Sequence, residues 1–349
     1  MRVSKPKSLL LSLLLIIAVQ LSISAQDARK EFTENFPVNK GVTLSAETRY
    51  SDVEILTWDR NEVDILAVVE VDASSKARAE EALEKVDIVI QKSGNTISLE
   101  TVLENGWSRN VKTQIHITVK VPAYLNLTME CSYGDLFVQE LSGLALMELQ
   151  YSNLKTGKLS RGSEKPYNRI ELAYSNGTIE EAGWVELDIA YSDLEISSSD
   201  MIFMESKYSK LTGDKAGGIV TEGSYDKYYI DEVDSFEAEL KYSGIKFEKL
   251  NKALHLEAGY TNAKIGTISR NFDELDVSLA YGNFNAGVEE GASYKLDSES
   301  RYGSINVDAS SDRLSKSKET TTTRVWGTVG SNPKGTMKLI TKYGNIDLE

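Results

Sequence analysis

Side chains able to do chemistry are sparse in this chain. Two histidines stand in 349 residues, His116 between Ile115 and Ile117 and His255 between Leu254 and Leu256. Each alternates against apolar neighbours, so each is expected on the outer face of a strand. Neither has a His or Cys partner at metal-ligand spacing. The single cysteine, Cys131, rules out an internal disulfide framework and reads as a small buried side chain. Carboxylates are plentiful, 53 Asp and Glu against 39 Lys and Arg. Any two of them at a suitable separation would serve for glycoside cleavage. The sequence offers no phosphate-cradling glycine loop, dinucleotide fingerprint, nucleophile elbow or calcium loop. The expectation is therefore no catalytic residue, no cofactor and no metal.

The formal charge is −14. Met1 to Ala25 reads as a cleaved leader: Arg2, Lys5 and Lys7 form a basic start, Leu9 to Leu21 an apolar core, and small residues end it. An uncleaved anchor is the alternative. Loss of three basic residues takes the charge from −14 to −17, which argues against nucleic acid and anionic membranes as partners. No later stretch approaches the length of an apolar membrane span.

What orders the rest is one unit: a tyrosine, two small polar residues, then an apolar–polar–apolar stretch, as in Tyr191-Ser-Asp-Leu-Glu-Ile. Anchors stand at Tyr50, Tyr133, Tyr151, Tyr174, Tyr191, Tyr208, Tyr225, Tyr242, Tyr260, Tyr281, Tyr302 and Tyr343, with gaps of 83, 18, 23, 17, 17, 17, 17, 18, 21, 21 and 41. A fixed period of this size signals a repeat architecture. Counting from the tyrosine, the third following residue is apolar in eleven units and the fifth in ten. Apolar residues precede it mostly at the second and fourth positions, as Leu187 and Ile189 precede Tyr191. Period-two alternation on both sides, slipping by one between, means strand, corner, strand. The rings share parity with the preceding apolar residues, so they are expected to pack along the interior edge, hydroxyls near the corners. One unit cannot bury enough on its own and must stack on its neighbours. No proline occurs from 167 to 332, as strands paired on both edges require. The fold expected is an all-β repeat solenoid or β-roll with rungs of about 17–21 residues; an ordinary β-sandwich is the alternative.

Along the chain, 1–25 is the leader and 26–127 a divergent β region. Within it a helix near 76–85, capped by Ser74 or Ser75, carries an apolar stripe of Ala79, Ala82, Leu83 and Val86 and covers the open end of the stack. Residues 128–307 form the regular array. Residues 308–349 add a polar, threonine-rich loop through Thr323, a strand at Val325–Val329 belonging to a unit without its tyrosine, and a last full unit at Tyr343.

These residues carry a resemblance. Phe36-Pro37-Val38, Tyr50-Ser51-Asp52-Val53-Glu54-Ile55 with Thr57-Trp58-Asp59, the capped helix, Ser93-Gly94-Asn95-Thr96-Ile97, Val121-Pro122 and the repeated tyrosine units resemble the "putative adhesin" family with β-strand repeats, exported bacterial proteins akin to the head-domain autotransporter adhesins. The resemblance covers nearly all of the mature chain. It implies a β-solenoid and an envelope location, and brings neither a ligand nor a catalytic residue.

Phe203 and Val220 fall in one outward column by parity, and Tyr229 points outward on the strand after its corner; together they are the candidate contact surface. Three functions stay open. One is a non-enzymatic envelope or surface protein that binds a protein or glycan partner, adhesin-like, through the solenoid surface. Another is a periplasmic scaffold without a dedicated ligand. The third is a carbohydrate-active β-solenoid enzyme.

Overall fold

The protein is described from a computed structural model, over residues 27–107, 111–308 and 313–349. The leader and its cleavage point lie outside the described residues. The chain is all-β, with one helix among the described residues.

The strand Asp193–Lys207 shows how a rung forms. Its inward side chains are Leu194, Ile196, Ser199, Ile202 and Met204. The two-residue alternation opens to three on either side of Ser199, where Ser197 and Asp200 drop out of the pairing. One continuous strand thus bends into two arms, each with its apolar side toward one common core. The next rung starts 17 residues later in parallel register: Asp193 pairs with Lys210, Lys210 with Lys227, and Lys227 with Gly244. Parallel strands buried on one side and joined by tight corners form two facing ladders, the pairing pattern of a β-solenoid.

Both ends are closed by strands that break the pattern. At the amino end Lys112–Pro122 pairs in parallel with Asp52–Trp58, then Glu62–Asp72 and Asp27–Pro37 follow antiparallel. On the other ladder Thr96–Leu103 joins Thr43–Arg49 and carries Val86–Ser93 as its edge. The helix Lys76–Leu83 packs on Asp27–Pro37 and Glu62–Asp72 with Ala79 and Ala82 buried, covering that end. Ser75 occupies the cap position without a side-chain cap bond, while Ser74 accepts a bond from Arg78 instead.

The carboxyl end departs from chain order. Gly335–Lys342 lies between Glu274–Ala280 and Tyr294–Arg301, and Ile346–Leu348 between Phe284–Val288 and Ile305–Val307. The last rung is therefore inserted inside the stack. Val325–Val329 is not part of a rung: Thr322–Val329 runs antiparallel to Tyr294–Arg301 and pairs with Leu314–Lys318. Much of the expected threonine-rich loop is this hairpin: Thr320 and Thr321 stand exposed in its turn, while Thr322 and the buried Thr323 open its second strand. Its 309–312 portion lies outside the described residues.

Candidate functional site

All twelve anchor tyrosines hold φ between 52° and 64°. This left-handed conformation costs a residue with a Cβ about 1–2 kcal/mol. It also reverses the side-chain direction, so the parity break lies at the tyrosine and not after it. The rings consequently stand outside, 43–54 % exposed, which corrects their expected interior placement. They stack face to face on successive rungs, centroids 4.6–5.1 Å apart and planes within 14°. The order in space is Tyr50, Tyr133, then upward to Tyr281, Tyr343 and finally Tyr302. Trp107 closes the Tyr50 end, its ring centroid 5.2 Å away. The result is an unbroken aromatic column roughly 50 Å long at the rung spacing of a sheet.

The residue after the tyrosine turns inward. Ser152, Ser175, Ser192, Ser209, Ser243 and Thr261 are all buried there. The corner directs each backbone N–H at the next rung, where a buried donor requires an acceptor. The neighbouring hydroxyl supplies it: Ser175 N–H donates to Ser192 Oγ at 3.1 Å, and Ser192 N–H to Ser209 Oγ at 3.2 Å. Each hydroxyl in turn donates to the carbonyl two residues back, as Ser192 does to Ala190 at 2.8 Å. Where glycine follows the tyrosine, the backbones approach too closely for any Cβ: one on Gly282 would meet the Thr261 carbonyl oxygen at 1.8 Å.

Asp226 interrupts this hydroxyl spine. It is 2 % exposed; Oδ1 accepts the Ser209 N–H at 2.8 Å, and Oδ2 accepts from Ser206 Oγ at 3.0 Å. Ser206 also meets the hydroxyl of the wholly buried Tyr228 at 2.9 Å. Burial pushes the Asp226 carboxyl above its ordinary range, outweighing these bonds, and pushes the Tyr228 phenol up to about 12. A raised carboxyl in the folded state favours folding at low pH, and that stabilisation is lost as the pH climbs through the folded value. Asp226→Asn keeps an acceptor for Ser209 and removes the charge. Its Tm should exceed that of the parent at pH 8 by on the order of 2 °C, with the difference shrinking toward pH 4. Melting curves across that range check this; a deficit at pH 8 that disappears toward pH 4 would mean that the carboxylate's hydrogen bonds dominate.

Sequence reasoning also missed a column of acids three residues before the tyrosines. Glu47 pairs with Glu100 and Glu130, Glu148 with Glu130 and Glu171, and Asp188 with Glu171 and Glu205. Glu205, Glu222, Glu239 and Glu257 continue it. Aligning the units on their tyrosines would have revealed it.

Of the expected contact residues, Tyr229 is exposed at 41 %. Phe203 and Val220 are adjacent in one column but half-buried. The Tyr167 ring stacks on Phe203 at 5.5 Å and Trp184 flanks it at 5.8 Å, so the loop carrying Tyr167 covers the free surface assigned to Phe203. Tyr229 lies on the opposite ladder, apart from them. His116 and His255 point outward, near Asp52 (3.5 Å) and Glu274 (4.0 Å) respectively. Cys131 is buried, and burial raises its thiol above the usual range. Among the described residues no helix is long and apolar enough to cross a membrane.

The structure defines a class: an all-β stack of parallel rungs bearing an external tyrosine column. No family model matches the chain, and no curated protein does. Solved structures similar to it include a "putative adhesin" from Parabacteroides distasonis, 10 % identical over 92 % of this chain and 97 % of that one, with TM-score 0.31. A "putative adhesin" from Bacteroides fragilis is 9 % identical over the same shares, TM-score 0.30. A "putative lipid binding protein" from Parabacteroides distasonis is 11 % identical over 73 % of this chain and 96 % of that one, TM-score 0.37.

Proposed function

We propose that this is an exported, non-enzymatic envelope or cell-surface protein that holds a partner along the outside of its rung stack, adhesin-like in that sense. The observation that carries the reading is the tyrosine column. A continuous line of half-exposed aromatic side chains is an unusual surface for a protein in water, and such surfaces serve contacts. The basic and apolar leader supports export. A periplasmic scaffold is the second reading, favoured by the use the rings make of one another: their faces are spent on mutual stacking.

Protease treatment of intact cells separates the two. A surface protein is shaved, and its mature chain, sequenced from the envelope fraction, begins at Gln26. Protection in intact cells combined with cleavage after outer-membrane permeabilisation would replace the surface reading with the periplasmic one.

A further inference from the structure

We propose that the tyrosine column is a relay for single oxidising equivalents: an electron lost from a ring at one end is replaced from the next ring, and the electron deficit travels along the stack to the other end. This activity is separate from the partner binding above and does not depend on it.

Thiols aside, phenol and indole are the side chains that give up one electron most readily. Eleven successive contacts join the twelve phenol rings, with no centroid separation above 5.1 Å and no two planes more than 14° apart. Trp107 adds an indole at 5.2 Å from Tyr50. Rings in that contact lie face against face, so an electron never crosses more than one ring spacing. The rings are also alike. Each sits on the same left-handed corner and is 43–54 % exposed, so none is a deep trap at which an oxidising equivalent would stop. Half-exposed rings let each phenol exchange its proton with water.

Charge works in the same direction. Glu205, Glu222 and Glu239 stand exposed on adjacent rungs, three residues before their tyrosines, and negative potential beside a ring favours removal of an electron. Lys207 and Lys342 hold ammonium groups 5.7 and 5.6 Å from the Tyr208 and Tyr343 ring centres. They oppose the passage little, because the phenol loses its proton together with the electron and the radical formed is neutral.

Each step balances. A one-electron oxidant, such as a free radical in solution, takes an electron from the first phenol, whose O–H proton goes to water, and a phenoxyl radical remains. The neighbouring phenol passes an electron to it through the stacked faces. The first oxygen takes a proton back from water as the second releases one. At the far end a soluble thiol gives a hydrogen atom to the last phenoxyl and becomes a thiyl radical. The oxidant has then been reduced, the thiol oxidised, and the column is as it began.

The test places the oxidant at one end. Glu47→Cys puts an accessible thiol three residues before Tyr50, Cys131 being buried, and carries a ruthenium(II) tris-bipyridine label. Flash illumination with chloropentaamminecobalt(III) as electron acceptor turns the label into a one-electron oxidant. The spin trap tert-nitrosobutane bonds to ring carbons of tyrosyl radicals, and peptide mass spectrometry locates the adducts. They are expected as far as Tyr281, Tyr343 and Tyr302, the distant end of the column. Tyr191→Phe/Tyr208→Phe/Tyr225→Phe keeps three rings in the stack but removes their O–H, leaving roughly 19 Å between the oxidisable rings on either side. The distant adducts should then be lost while those at Tyr50 and Tyr133 remain. Tyr229→Phe, at an exposed ring outside the column, should leave the pattern unchanged. Thermal unfolding of each variant confirms that the fold is kept. An isotope-labelled copy without ruthenium, in the same solution, reports transfer between molecules. Distant adducts equal in the parent and the triple variant, or equal on the copy without ruthenium, would overturn the proposal in favour of diffusing radicals. Adducts confined to Tyr50 and its nearest neighbours in the parent would overturn it in favour of a column that only holds the corners together.

Discussion

Deleting Asp226 to Tyr242 should leave a folded protein, whereas deleting Asp226 to Asp234 should not. The longer deletion removes 17 residues and joins Tyr225 to Ser243. The register makes the result legible in advance. Lys210 pairs with Lys227 and Lys227 with Gly244, so after the deletion the strand Lys210–Ser224 meets Gly244–Gly259 in the first arm as it formerly met Lys227–Lys241, and the one-residue bulge between Leu250 and Ala253 is carried into the second arm unchanged. Tyr225 still stacks toward the following anchors, and Ser243 takes the place of Asp226 as acceptor for the Ser209 N–H. The hydroxyl spine becomes uninterrupted and a buried carboxyl disappears. What is lost is about one nearest-neighbour interface, as expected of a quasi-one-dimensional stack. The shorter deletion removes nine residues and joins Tyr225 to Ser235. It takes away one arm of the rung, so the following arm cannot reach its own ladder without slipping register and turning Phe236, Ala238 and Leu240 toward solvent. Far-ultraviolet dichroism and thermal unfolding of both variants check this. Native-like spectra from the nine-residue deletion, with collapse of the 17-residue one, would show that the rung is not the unit of stability.

The period and most of the core were legible in the sequence because they are local. Leu187 and Ile189 before Tyr191, and Leu194 and Ile196 after it, are buried as period-two alternation requires. The helix was visible through the spacing of Ala79 and Ala82, and the outward histidines through their apolar neighbours. The direction of the tyrosine rings was not legible. Positive φ is ordinarily the province of Gly, Asn and Asp, and nothing in a tyrosine announces it. The one available clue was the small residue after each anchor, Ser, Thr, Gly or Asp, which reads equally well as a solvated turn and as a buried hydroxyl spine. The insertion of the last rung was not legible for a different reason. Tyr281, Tyr302 and Tyr343 head near-equivalent units, so local pattern cannot say which stacks on which. Only the antiparallel strand Thr322–Val329, which closes the outer side of Tyr294–Arg301, leaves the inner position to the final unit.

Tyr208→Ala should destabilise the protein by about 2–4 kcal/mol, and Tyr208→Gly by about 1 kcal/mol less. The ring stacks on Tyr191 at 4.9 Å and on Tyr225 at 4.6 Å. Each aromatic pair contributes about 0.5–1.5 kcal/mol beyond area burial, and both are lost in either variant, together with the covered half of the ring. The two differ in the backbone. Tyr208 has φ of 52°, and alanine retains the Cβ that makes this conformation costly. Glycine adopts it freely, and that relief exceeds its larger entropy loss on folding. At an ordinary strand position the ranking would be reversed, so the order of the two variants reports on the corner itself. Tyr208→Phe keeps the stack and should lie within about 0.5 kcal/mol of the parent. We propose on this basis that the twelve tyrosines anchor the corners by stacking and that the stacking outweighs the conformational cost of each corner. Chemical denaturation of the three variants decides the matter. Alanine as stable as the parent would show that the column contributes nothing to the fold, and alanine more stable than glycine would show that the corner is not strained.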